Sequence, residues 1–361
     1  MAALVQPACM AGSGLSPPSW VALSARNYAP ILASNSQSTQ IRNYSIQIFT
    51  NGEKYDMKFI ARSLISTLLV AGFNSQLLAQ EFVAGEPIGS VNEAGVRVPM
   101  SSNVKVYGSF HFSESCTFDP NKNLVLAMNN ATRGDGTEND GFVSLINPDG
   151  SVHTPKWIGA TRDGLELHHP LGSAVSNGVL YTVDVGYVRS FDLASGQPLD
   201  AVAIPGSTIL NGIAVSGDGT IYASNTRSPE RIYKVAPNGE VSTFADGAPL
   251  AAPNGVAIDR DGNIVVVNVG DSAVITYNTR GEVILTEYAV EGGNDGIVVT
   301  ENGTKYVSSV RFGSVSRIRP GQDAQVIASG IPSAASMCYD SVQNQLVIPL
   351  NGNYALAFIP L

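Results

Sequence analysis

Six segments of this 361-residue chain repeat one pattern: a short polar or glycine-bearing lead-in, an apolar strand, a tight turn and a second apolar strand. They are ESCTFDPNKNLVLAMN from Glu114, LGSAVSNGVLYTVD from Leu171 and NGIAVSGDGTIYASN from Asn211. NGVAIDRDGNIVVVN from Asn254, DGIVVTENGTKYVSS from Asp295 and ASMCYDSVQNQLVIP from Ala335 follow. The last five begin about 40 residues apart, and the first interval is longer because Gly134 to Gly141 inserts an acidic loop. Each unit runs on into further strands around a second turn, as in FVSLINPDGSV, RIYKVAPNGEVS and SVSRIRPGQDAQVI. The turns carry Asp-Gly, Asn-Gly, Ser-Gly or Arg-Gly, where glycine takes a positive φ without steric cost.

Four short strands in about 40 residues make one blade of a β-propeller, and a blade buries both its faces only by stacking on neighbours. The repeat therefore predicts an all-β fold: a six-bladed β-propeller with four-stranded blades over residues 104–361. The sixth unit ends one strand short, at Tyr354–Pro360. The segment VKVYGSF, Val104–Phe110, is the N-terminal strand expected to close the ring.

Composition narrows the function classes. A formal charge of −9 without any cluster of Lys or Arg argues against nucleic acid, whose phosphates need clustered basic residues. Three cysteines, Cys9, Cys116 and Cys338, are too few for a disulfide framework and lack the paired spacing of a zinc site. Cys116 and Cys338 fall in neighbouring repeats, and the expectation is two buried free thiols, with a bridge between them as the alternative.

Residues 57–79 have the layout of a secretory signal peptide. Lys58 and Arg62 form the basic start, Leu64 to Phe73 the apolar run, and Ala79 the small residue before cleavage. That run is too short to span a membrane. Residues 1–56 precede it, and 11–51 are rich in Ser, Asn, Gln and Pro without a sustained period, so they are expected to be a non-structural upstream extension. Residues 80–103 become a lead-in, and the mature protein is expected in the periplasm or outside the cell, free of the membrane.

Alignment of the six units puts one residue of each at the same place, just before the innermost strand: Glu114, Leu171, Asn211, Asn254, Asp295 and Ala335. In a propeller such positions converge on the central axis. Four of these six carry a side-chain oxygen. Two carboxylates brought together repel unless one is protonated or a cation lies between them. With two carboxamide oxygens they make an all-oxygen shell of net charge −2 that suits a hard divalent ion. The absence of Cys and His from the ring disfavours zinc and copper. Calcium is the first choice, with magnesium or manganese as alternatives.

The set resembles the senescence-marker-protein (regucalcin)/gluconolactonase family, in its exported bacterial branch. The resemblance covers about residues 104–361 and rests on Glu114 in SES, Asn211 in ILNG, Asn254 in APNG and Asp295 in NDG, in that order. It implies a six-bladed propeller holding one divalent cation on the axis through Glu114, Asn211, Asn254 and Asp295, and hydrolysis of a small lactone or related ester. One position departs from the family: Ile209 stands where some relatives carry an arginine for sugar acids.

In such a reaction the cation polarises the carbonyl while a water attacks, its proton taken by Asp295 or by a histidine of the mouth loops. His169, with His168 as alternative, is the candidate because GLELHHPLG leads into the ring position of the second unit. Arg311 and Phe312, after the second strand of the fifth unit, are candidate substrate contacts. The chain has no Gly-x-Ser-x-Gly elbow, His-Glu-x-x-His pair or P-loop. Competing readings are a non-catalytic binding propeller, since PNGVAIDRDGNIVVVN resembles an NHL repeat, and a lyase or phosphotriesterase sharing the same cation. The oligomeric state is not legible in the sequence.

Overall fold

The computed structural model describes residues 110–131, 138–159 and 164–361, and by their backbone the strands Asn43–Thr50, Glu53–Ile60, Ser90–Val91, Arg97–Val98 and Lys105–Tyr107. The chain divides into two units, Met1–Leu77 and Leu78–Leu361. In the first, Asn43–Thr50 pairs antiparallel with Glu53–Ile60, from Asn43 opposite Ile60 to Thr50 opposite Glu53. Period-2 alternation of Tyr44, Ile46 and Ile48 accompanies that strand. The expected signal segment lies outside the described residues except for Met57–Ile60, which belong to this hairpin. The expected extension 1–56 is described only in its strands, the lead-in 80–103 only in the pair Ser90–Val91 with Arg97–Val98, and part of the acidic loop falls outside as well.

The second unit contains six four-stranded antiparallel sheets in sequence order. Blade one comprises Ser113–Asp119, Leu124–Asn129, Phe142–Ile146 and Val152–Gly159; blade two Pro170–Ser176, Val179–Asp184, Tyr187–Asp192 and Pro198–Ala203. Blade three is Leu210–Val215, Ile221–Asn225, Arg231–Val235 and Val241–Asp246; blade four Pro253–Ile258, Ile264–Asn268, Ala273–Tyr277 and Val283–Tyr288. Blade five is Asn294–Val299, Lys305–Ser309, Ser314–Ile318 and Gln325–Ala328. Blade six takes Cys338–Asp340, Gln345–Leu350 and Ala355–Pro360 from the C-terminus, and its outer strand is Lys105–Tyr107, paired Leu356↔Tyr107, Ala357↔Val106 and Phe358↔Lys105. The fold is a six-bladed β-propeller closed by an N-terminal strand, as the repeat predicts. Among the described residues the only helical element is a three-residue 3-10 turn, Asn351–Asn353.

Alternating side chains explain why the second strands read as unbroken apolar runs. Ile264 and Val266 pack with Tyr222 and Ile232 of blade three, while Val265 and Val267 pack with Ile297 and Val307 of blade five. Leu126 and Met128 likewise join Leu180 and Phe191 of blade two, and Val125 and Ala127 join Val347 and Phe358 of blade six. Each pair of adjacent blades thus shares its own apolar core. The outer strands are largely exposed, as in Pro198–Ala203 and Val283–Tyr288.

The core between blades six and one corrects one expectation. Cys116 and Cys338 form a disulfide, with Cα atoms 5.4 Å apart at a sequence separation of 222. Ring closure brings their strands side by side, with Ser115 and Ser336 in a parallel bridge, so two thiols that the sequence leaves far apart meet at bonding distance.

Candidate functional site

Every ring position of blades one to five lies in a β-bulge. The residue before it pairs with the last residue of the second strand: Ser113↔Asn129, Pro170↔Asp184, Leu210↔Asn225, Pro253↔Asn268 and Asn294↔Ser309. The register then shifts, so Asn211-Gly212 faces Ser224 alone, Asn254-Gly255 faces Val267, and Asp295-Gly296 faces Ser308. In blade one the extra residue is Glu114 itself. A bulge leaves a residue outside the ladder and re-aims its side chain, the device needed to turn a strand residue away from its own sheet.

The glycine after the ring residue lets the next blade approach. A Cβ on Gly212 would stand 2.1 Å from the Asn254 carbonyl oxygen, and one on Gly255 2.6 Å from that of Asp295. Only a hydrogen fits there. Hydroxyls tie the same contacts. Ser224 Oγ accepts the Gly212 amide at 2.8 Å and donates to the Asn254 carbonyl at 2.6 Å. Ser308 Oγ accepts from Gly296 and donates to the Ala335 carbonyl, both at 2.8 Å. In blade one Ser115 replaces the glycine, and its hydroxyl donates to the Leu171 carbonyl at 2.5 Å. The Ser336 amide closes the circle on the Glu114 carbonyl at 3.1 Å. Glu114, Leu171, Asn211, Asn254, Asp295 and Ala335 therefore follow one another round the ring.

The four polar members are buried: Glu114 is 6% exposed, Asn211 8%, Asn254 3% and Asp295 4%. Among the described residues, Oδ1 of Asn211, of Asn254 and of Asp295 have no hydrogen-bond partner. Buried oxygens are paired as a rule, so three orphans in successive ring positions need an explanation. Burial first, and the charge of Glu114 second, push the Asp295 carboxyl well above the usual carboxylate range. The donor set and its orphaned oxygens fit a hard cation, which would satisfy all three and offset the repulsion. No group of three or more His, Cys, Asp and Glu that could hold a metal ion occurs among the described residues; two of the four polar ring members are carboxamides.

Two further sets of residues position the site, and the sequence reading missed both. The second strands of blades one to five end in Asn129, Asp184, Asn225, Asn268 and Ser309. Each holds the segment leading into its own ring position. Asn129 Oδ1 accepts the His111 amide at 3.1 Å, Asn225 Oδ1 the Thr208 and Ile209 amides at 2.8 and 3.0 Å, and Ser309 Oγ donates to Gly292 at 2.7 Å. Their shared place in the repeat was the available signal. The second is Asn351, just beyond the second strand of blade six, whose Nδ2 donates to Glu114 Oε2 at 2.9 Å. Blade six gives the ring Ala335 and reaches Glu114 from this loop instead.

His168 and His169 approach blade two with both backbone amides on the Asp184 carboxylate, that of His169 at 2.6 Å. Asp184 is buried and also accepts Arg189 Nε at 2.6 Å. His169 is half-buried and its Nε2 is buried without a partner among the described residues, whereas His168 Nδ1 lies at the surface 3.3 Å from the Glu138 carbonyl. Arg311 and Phe312 are exposed in the turn after the second strand of blade five, at the ring end of that strand.

Solved structures similar to this fold include a gluconolactonase from Xanthomonas campestris, at TM-score 0.56 and 19% identity over 77% of this chain and 97% of that one. A protein put forward as a gluconolactonase matches at TM-score 0.54 and 18% identity, over 71% and 91%. A streptogramin B lyase matches at TM-score 0.52 and 9% identity, over 73% and 98%. Likeness at these identities shows the propeller fold. No protein-family model and no curated protein sequence matches the chain.

Proposed function

We propose that this propeller is a divalent-metal-dependent hydrolase that opens a small lactone. The observation that carries the reading is the set of three unpartnered buried oxygens, on Asn211, Asn254 and Asp295, in one ring with the Glu114 carboxylate. The four motifs' resemblance to the gluconolactonase family and the likeness to a gluconolactonase propeller support it.

Glu114, Asn211, Asn254 and Asp295 would hold the cation, calcium first. When bound, it supplies polarisation of the lactone carbonyl and countercharge for the oxyanion. Asp295 or His169 takes the proton of the attacking water. Asp295 suits this as a carboxylate oxygen of the ring itself, and His169 because its buried Nε2 has no hydrogen-bond partner among the described residues. The water oxygen bonds to the carbonyl carbon, the ring C–O bond breaks, and the leaving oxygen takes up a proton. The product is a hydroxy acid. The Cys116–Cys338 disulfide supports an exported protein, since such bonds persist in oxidising compartments.

Base uptake at constant pH tests the reading on a panel of lactones, with the purified protein in calcium and again in chelator. Acid release that stops with chelator, returns with calcium and is absent from Asp295→Ala is the expected result. No release from any lactone by folded, calcium-supplied protein would sink it.

A further inference from the structure

His111 and Tyr354 stack at the ring end of the propeller, with centroids 5.3 Å apart and planes 11° from parallel. Tyr354 leaves the turn after the second strand of blade six; His111 leads into blade one. Both are exposed, Tyr354 by 44%. The stack is costly to build. Tyr354 lies in the left-handed region at φ +55°, and Phe112, next to His111, at φ +51°. Bulky side chains are rare there, and such strain persists where the surroundings fix it.

The backbone behind both rings is pinned. The Phe110 amide donates to the Tyr354 carbonyl, and the His111 amide donates to Oδ1 of fully buried Asn129. The stack also adjoins the candidate centre. Tyr354 is three residues from Asn351, which donates to Glu114, and His111 is three residues before Glu114. Three residues of extended chain reach no more than about 10 Å. Phe312, in the corresponding turn of blade five, is 43% exposed. Blades five, six and one thus present flat aromatic rings along one arc of the rim. Ile209, beside Asn211, adds no hydrogen-bonding side chain for a polyhydroxylated substrate.

We infer that the His111–Tyr354 stack is a subsite for a flat apolar ring, so that the preferred substrate is a lactone bearing an aryl substituent. This rests on the lactone reading. Two rings already stacked on each other need less ordering on binding, and offset stacking adds to the area they cover.

Calorimetry with two unreactive analogues separates the two claims: a phenyl-substituted five-membered lactam and the unsubstituted lactam, on the full calcium-supplied chain. The phenyl lactam is expected to bind about tenfold more tightly. Tyr354→Ala should abolish that preference, Tyr354→Phe should retain it, and His111→Ala should reduce it. Equal binding of the two lactams, binding of neither, or an undiminished preference in Tyr354→Ala each overturns the subsite. Failure of the lactone reading shows separately, as absent acid release from every lactone despite discriminating lactam binding.

Discussion

The hydroxyl of Ser224 donates to the carbonyl of Asn254 at 2.6 Å, so a residue on the second strand of blade three fixes the ring residue of blade four. The same oxygen accepts the Gly212 amide and is wholly buried. Ser224→Ala leaves an amide and a carbonyl without that partner, at a cost of about 1–3 kcal/mol. Urea unfolding should show a lower midpoint at unchanged slope, and calcium affinity should fall with it. An unchanged midpoint would show that the stitch between blades is idle.

The Cys116–Cys338 disulfide joins the first blade to the last. Closing a loop of 222 residues stabilises by up to about 5 kcal/mol in the chain-entropy model. Cys116→Ala/Cys338→Ala should unfold at clearly lower temperature than the oxidised protein by calorimetry. Reductant should lower the wild-type transition toward that of the variant, and leave the variant unmoved.

Asp295 sets a pH dependence with a definite sign. Its folded-state pKa is raised above the ordinary 3.8 by burial and then by Glu114. The protonated carboxyl therefore contributes stability that is fully present below pH 3.8 and lost as pH rises through the raised value. In chelator, thermal stability should fall over that window, and Asp295→Asn should flatten the fall. Calcium should reverse it, because cation and proton compete for one carboxylate. A profile identical in Asp295→Asn and wild type would remove Asp295 as its source.

Asn351 orients Glu114 without occupying a ring position. Asn351→Ala should weaken calcium binding by about tenfold, the low end for a partner of a metal ligand. Asn351→Asp places a third carboxyl beside Glu114 and should make the affinity more steeply pH-dependent. Equal affinities in all three proteins would reduce Asn351 to a loop residue.

Much of this was legible in the chain because each blade states its own turns and its own apolar alternation. Asp218, in SGDGT, accepts the Ser216 hydroxyl and the Thr220 amide, which pull its pKa down to about 2, and the strand reverses where the sequence says it must. Ring positions could be aligned for the same reason. The bulge that re-aims them could not, since it depends on pairing between strands. Cys116 with Cys338 and Asn351 with Glu114 meet only when the ring closes, and no local pattern announces a contact across more than 200 residues. The place of His169 before Leu171 is visible in the sequence, but the Asp184 carboxylate that holds its backbone ends the second strand of that blade.

The ring itself is tested most directly by calorimetric titration of calcium into chelator-stripped protein. One site per chain is expected, lost in Asp295→Ala and Glu114→Ala and weakened in Asn211→Ala and Asn254→Ala. No binding of calcium, magnesium or manganese, or binding that survives Asp295→Ala unchanged, would contradict a cation centre on the propeller axis.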